Sequence, residues 1–217
     1  MSLRLVVLIS GSGSNLQAIL DACGQSEARA GERMDARVVG VLSNKAEAFG
    51  LARATRAGAP TAVLDHTAYA DRESFDQAMI SVIDAWRPDV VVLAGFMRIL
   101  SAGFVRHYQG RLLNIHPSLL PKYKGLHTHR RALEAGDAEH GCSVHFVTPE
   151  LDGGPVIAQA VVGVEQEDTE AELAGRVHAA EHRLYPAVLG WLAGRRLQYR
   201  DDAPWLDGQP LAQPVRL

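Results

Sequence analysis

Asn114 and His116 stand two residues apart at the end of the apolar run GRLLNIHP (110–117), and Asp152 sits in the glycine-rich turn PELDGG (149–154). Alternation along an extended chain puts the first two side chains on one face. An amide donates hydrogen bonds without titrating; an imidazole donates, accepts or carries a proton near neutral pH. Together they suit a carbonyl oxygen that becomes an oxyanion. Pro117 and Pro121 restrict the chain beyond, which helps wherever the imidazole must not drift. Two strand-end polar residues satisfied by backbone groups are the plainer reading of the pair, and Asp before Gly-Gly is most often a turn former. If the hairpin carries Asp152 to His116, the carboxylate orients the ring. The three then form an acyl-transfer constellation without a Ser or Cys nucleophile, so the attacking group must come from the substrate.

A second candidate is SGSGSN (10–15), between the first apolar run and the first helical segment. Unpaired N–H groups at such a junction can hold an anion, and Gly11 and Gly13 let the backbone come close to it. Ser14 and Asn15 can add donors, or can simply cap the helix. Leu16 stands where a dinucleotide fingerprint needs its third glycine, and no Lys follows as in a Walker loop. NAD and ATP are disfavoured; a phosphate monoester stays open. The histidine pairs in LHTHR (126–130) and HAAEH (178–182) invite a metal, but the second lacks the Glu directly after its first His that a zincin requires, and no metal is expected. Glu181 is a candidate for a substrate amine, with a solvated helix face or an ion pair with Arg176 or Arg183 as the plainer alternative.

These residues need a scaffold. LRLVVLIS (3–10), ARVVGVLSN (36–44), TAVLD (61–65), DVVVLAGF (89–96) and GRLLNIHP (110–117) read as buried strands. Between them lie helical segments at 15–25, 48–58 and 71–88, the last with Phe75, Met79, Val82, Ile83 and Trp86 along one stripe. This order predicts an α/β fold of Rossmann-like, doubly wound type: a mostly parallel sheet between two helical layers. THRRALEAGDAEHG (128–141) reads as a helix ending near Gly136 or Gly141. CSVHFVTPELDGGPVIAQAVVGV (142–164) reads as an antiparallel hairpin added to the sheet, and 168–194 as a long helix capped by Asp168 or Thr169. The tail from Arg195 reads as a short ordered extension that frays at its end. Nothing marks a linker, so one domain over 1–217 is expected. Ligands of such sheets bind at the carboxyl ends of the strands, where Asn114, His116 and the glycine loop all fall.

The totals narrow the classes. Of 217 residues 47% are apolar, and the formal charge of −3 provides no field for nucleic acid or an anionic membrane. Cys23 and Cys142 lie far apart and outside any CxxC, which suits a reducing cytoplasm. No run approaches a membrane span or a signal-peptide core.

VVLISGSGSNLQAI, VLSNKAEAFGL, PDVVVLAGFMRIL, the stretch from Gly110 to Ala160, and AEHRLYP together resemble the phosphoribosylglycinamide formyltransferases of the folate-dependent formyltransferase superfamily, from Leu3 to about Asp207. The resemblance implies transfer of the formyl group of 10-formyltetrahydrofolate to the amine of glycinamide ribonucleotide (GAR), in purine biosynthesis. Asn114, His116 and Asp152 would be catalytic. Gly13, Ser14, Asn15, Pro117 and Glu181 would bind the ribonucleotide. Arg72, Met97, Arg98, Ile99, Leu100 and Asn114, with Thr148, Pro149, Glu150, Leu151 and Asp152, would bind the folate. It also implies small-molecule partners without nucleic acid or membrane, a cytoplasmic location, a cis bond before Pro121, and leaves a homodimer open. The chain departs from common family patterns at Ser12 in the glycine loop, at Lys124, and at His178, where Gln or Lys is common. Two alternatives accompany this reading. A formyltetrahydrofolate hydrolase would carry an extra N-terminal domain for which 217 residues leave no room. A non-catalytic phosphate-binding module would leave Asn114, His116 and Asp152 unexplained. Formyl transfer to initiator tRNA would need a C-terminal RNA-binding domain and a basic face.

Overall fold

The computed structural model describes residues 2–26 and 33–217. The apolar runs form strands β1 (Leu3–Ile9), β2 (Ala36–Ser43), β3 (Thr61–Val63), β4 (Val90–Leu93), β5 (Leu112–His116), β6 (Glu139–Phe146) and β7 (Val156–Gly163). Helices α1 (Ser14–Ala22), α2 (Phe49–Arg56), α3 (Arg72–Ala85), α4 (Ala102–His107), α5 (Thr128–Glu134) and α6 (Glu170–Ala193) connect or follow them. Two short strands, β8 (Leu197–Arg200) and β9 (Ala203–Leu206), and two-residue strands β10 (Gln209–Pro210) and β11 (Val215–Arg216) complete the chain.

The large sheet runs β11-β7-β6-β5-β4-β1-β2-β3. β1, β2, β3, β4 and β5 pair in parallel, whereas β6 joins β5 and β7 joins β6 antiparallel. β1 and β4 are buried on both faces, hence their unbroken apolar sequence. One core cluster joins α1 and α6 to one sheet face; the other joins Phe75, Met79, Ile80 and Ile83 of α3 and Phe104 and Val105 of α4 to the opposite face. The expected doubly wound sheet with an antiparallel hairpin is therefore present. Asp71 caps α3 by accepting from Ser74 N, and Thr169 caps α6 reciprocally with Glu172.

Two expectations change, and one helix is new. The segment 128–141 is helical only to Glu134; Gly136 turns the chain with φ +67°, and Glu139 already belongs to β6. Helix α4, too short for a clear apolar period, follows a cap by Ser101. The tail does not simply fray: β8, β9 and β10 form a separate antiparallel sheet, and β11 pairs in parallel with β7, covering what would be an open sheet edge.

The strand ends beside Asn114 are tied to α6. Tyr185 is fully buried, and its hydroxyl lies 3.1 Å from both the Leu93 and Leu113 carbonyl oxygens. Tyr185→Phe should cost about 1–2 kcal/mol of stability in urea unfolding, the worth of a buried hydrogen bond whose acceptor is left behind. A change below about 0.5 kcal/mol would show that the hydroxyl does not hold β4 and β5 together.

Histidines make the stability pH-dependent. Burial pushes His129, His140, His145 and His182 below the ordinary value of 6.5, His140 to about 4. Below pH 6.5 the unfolded chain takes up protons that these folded sites refuse, so stability is lost as pH falls from 6.5 toward 4. Burial of Glu181, which raises its carboxyl, acts in the opposite sense, but one group stands against four. The melting temperature should fall between pH 7.5 and pH 5; a flat or rising profile would contradict this.

Candidate active site

β5 ends with Asn114 and His116 on one face. The antiparallel pairing sets His145 of β6 opposite Asn114 and Ser143 opposite His116. The β6–β7 turn returns Asp152 to the same place, with φ +47° and a side chain only 8% exposed. Its Oδ2 lies 3.5 Å from His116 Nδ1 and accepts a 2.9 Å hydrogen bond from Gly125 N. Its Oδ1 lies 3.8 Å from His145 Nε2.

The ring orientations follow from what each neighbour can do. His116 Nε2 lies 2.8 Å from the Tyr123 carbonyl oxygen, which only accepts, so this nitrogen carries a proton. Nδ1 faces the Asp152 carboxylate, also an acceptor, so the imidazolium form satisfies both sides. His145 Nδ1 donates to the Phe146 carbonyl oxygen at 2.9 Å, which leaves Nε2 bare to accept from Asn114 Nδ2 at 3.1 Å. Burial holds His145 neutral, against the opposing pull of that carbonyl and of Asp152. The neutral ring therefore fixes which end of the Asn114 amide faces it. One amide hydrogen is used there and the other remains for a ligand oxygen.

The glycine loop lies at the end of β1. Gly13, with φ +71°, is the N-cap of α1, and neither Ser14 nor Asn15 caps the helix with its side chain, contrary to the plainer expectation. A Cβ on Gly13 would come within 2.6 Å of Gly50 Cα, so this glycine is demanded by packing as well as by φ. A Cβ on Gly11 would meet nothing within 4 Å. Asn15 Nδ2 donates to Glu181 Oε2 at 2.8 Å, and Asn15 Oδ1 is buried without a partner among the described residues. Glu181 is itself buried; desolvation pushes its carboxyl up, while Asn15 and the charges of His178 and His116 pull it back. Glu181 thus links the glycine loop to the neighbourhood of His116. His178 stands edge-on to His129, ring centroids 6.4 Å apart.

The remaining candidates border the strand ends less tightly. Met97, Arg98, Ile99 and Leu100 follow β4. Met97 N donates to Ser10 Oγ at 2.8 Å, and the Met97 and Ile99 side chains are 70% and 58% exposed. Arg98 lies over the Phe75 ring at 5.3 Å, and Leu100 packs on the α3 side of the core. Arg72 opens α3, three residues before Phe75. Thr148, Pro149, Glu150 and Leu151 form the β6–β7 turn; Glu150 pairs with Lys124 at 2.8 Å and Leu151 is exposed. Pro117 directly follows His116, and the Leu120–Pro121 bond is cis. Among the described residues no group of three or more His, Cys, Asp or Glu is arranged to hold a metal ion, and no helix is long and apolar enough to cross a membrane.

His145 escaped the sequence reading. Its signal was present: a polar residue two positions after Ser143, between the apolar Val144 and Phe146. Only the β5–β6 register, which no local pattern fixes, makes it the partner of Asn114.

The comparisons agree with this geometry. The formyl transferase family model matches residues 3–189. Phosphoribosylglycinamide formyltransferase of Escherichia coli (strain K12) is 59% identical over 209 residues, covering 96% of each chain. The Haemophilus influenzae enzyme of the same name is 43% identical over 208 residues, covering 96% of this chain and 95% of the relative. The solved structure of phosphoribosylglycinamide formyltransferase from Coxiella burnetii, in complex with CHES, superposes with a TM-score of 0.93 at 48% identity and covers 100% of both chains. A chain with this sequence, this sheet and this clustering of Asn, His and Asp at the strand ends belongs to the formyl transferase family.

Proposed function

We infer that this chain transfers the formyl group of 10-formyltetrahydrofolate to the amine of glycinamide ribonucleotide, giving formyl-GAR and tetrahydrofolate in purine biosynthesis. The observation that carries the reading is the convergence of Asn114, His116 and Asp152, with Glu181 linking them to an uncapped glycine loop. Within it, one formyltransferase domain spans 1–217, works in the cytoplasm and takes small-molecule substrates.

The GAR amine attacks the formyl carbon, forming the new C–N bond as the carbonyl electron pair moves to oxygen. The free N–H of Asn114 and the Nε2–H of His116 stabilise that oxyanion; the formyl oxygen replaces the Tyr123 carbonyl as the acceptor. Asp152 holds the imidazolium at Nδ1 and, directly or through water, takes the proton released by the attacking amine. The oxyanion then collapses, the bond to the folate nitrogen breaks, and that nitrogen receives the proton that Asp152 took from the amine. His145 keeps the Asn114 amide turned the right way throughout. The backbone N–H groups at Gly13, Ser14 and Asn15 hold the ribonucleotide phosphate, and Glu181 and Pro117 flank the remainder of that substrate. Arg72, the 97–100 segment and the 148–152 turn receive the folate.

Asn114→Ala removes an oxyanion donor. It should lower kcat by about 10²–10³-fold while leaving the unfolding midpoint close to that of the parent; full turnover would sink the assignment. The glycine loop has its own test. Gly11→Ala should fold normally, because its added methyl meets open space, yet raise KM for GAR by filling the approach to the loop. Gly13→Ala should instead lose stability, by about 1–3 kcal/mol for a strained backbone. A Gly11→Ala variant with unchanged KM would move the phosphate elsewhere. A folate absorbance assay separates the alternative activities: signal only with GAR indicates transfer, signal without it a hydrolase, and none in either a binding module.

A further inference from the structure

His116 is the first of a row that crosses the sheet. The register sets Ser143 of β6 opposite His116, Gln159 of β7 opposite Ser143, and Arg216 of β11 opposite Gln159. Ser143 is fully buried and Gln159 nearly so, beside apolar neighbours such as Val144 and Ala158. Buried polar groups persist where they are hydrogen-bonded, as the Ser143 hydroxyl and the Gln159 amide nitrogen are.

Gln159 Nε2 lies 2.9 Å from the Leu120 carbonyl oxygen and 3.0 Å from Ser143 Oγ. The carbonyl can only accept, so the amide nitrogen faces it and both its hydrogens are used. Ser143 Oγ donates to the Ser118 carbonyl oxygen at 2.7 Å and accepts from Leu120 N at 3.0 Å as well as from Gln159. The hydroxyl thereby spends its one hydrogen and both lone pairs. The node seizes residues 118–120 by three backbone groups. Five residues farther on, the same loop presents the Tyr123 carbonyl to His116 and Gly125 N to Asp152. Gln159 is in turn held by the end of the chain, since Leu217 N donates to its carbonyl oxygen at 3.0 Å.

We propose that Gln159, acting through Ser143, is a positioning residue for formyl transfer: it anchors the base of the 118–125 loop so that the loop's far part sets His116 and Asp152 in their reactive orientation. The proposal rests on the reading of the active site given above. Neither side chain touches the substrate. Their role is geometric, and misplacement by about 1 Å of a group in a reacting constellation costs about 10²-fold. β7 lies four strands away from β1 and its glycine loop, so ribonucleotide binding is outside its reach.

Gln159→Met keeps length and apolar packing but removes both donors. With the full-length protein, kcat should fall by about 10–100-fold with KM for GAR changed less than threefold, about the scatter of a neutral site. The nitrogen-15 NMR resonance of His116 Nε2 should move, because its ring N–H loses the fixed Tyr123 carbonyl acceptor; a packing defect alone would leave that resonance in place. Ser143→Ala should reproduce both effects, and the double variant should be no worse than the more damaging single one. Parental kcat and an unmoved His116 ring resonance in a folded Gln159→Met or Ser143→Ala variant would overturn the proposal. Should both variants fail to fold, amide exchange in the parent protein decides: the Leu120 amide must be protected, and exchange as fast as an exposed loop overturns the anchor. The parent's own turnover with GAR tests the underlying reading separately, so a failed anchor and a failed active-site assignment give different results.

Discussion

The antiparallel docking of β6 against β5 is the constraint on which the site depends. A slip of one residue would turn every side chain of β6 to the other face. His145 would leave Asn114, Ser143 would leave His116, and the turn carrying Asp152 would start from the wrong side. The register is held by apolar residues that cannot exchange faces, Val144 and Phe146 among them, both buried in the core shared with α6. Core packing thus fixes, at no direct catalytic contact, the placement of four polar groups around one strand end.

The two histidines of that strand pair meet different neighbours. His145, enclosed and supplied with a carbonyl acceptor at Nδ1, stays neutral and serves as an acceptor for Asn114. His116, between a carbonyl and a carboxylate, is surrounded by acceptors that suit its charged form. One ring orients an amide and the other carries a proton, although the side chains are chemically identical. Glu181 is also buried, and its carboxylate is held by the Asn15 amide, which couples the glycine loop to α6.

Much of this was legible in the residues. Unbroken apolar runs separated by helical periods specify a covered parallel sheet, and the strand-end rule then places Asn114, His116 and the glycine loop on one edge. The capping residue Thr169 gave the start of α6, because capping is local. Where the signal was weak the reading failed for identifiable reasons. The Ala-rich segment after Thr128 continues a helical composition past Gly136, but β6 captures the chain from Glu139 because its apolar face is worth more in the sheet. The tail, polar and proline-bearing, offered no period: β11 forms on the edge that β7 leaves open, and β8, β9 and β10 pair only with one another.

The sequence by itself determined the class of fold, the chemistry available at positions 114, 116 and 152, and the likeness to folate-dependent formyltransferases. Those properties reside in local pattern and residue type. Only the tertiary structure decided that Asp152 reaches His116, that His145 fixes the Asn114 amide, and that Gln159 and Ser143 grip the loop at Leu120. Each of these is a contact between residues far apart in the chain, set by strand register and hairpin return, and neither quantity is written in any single segment.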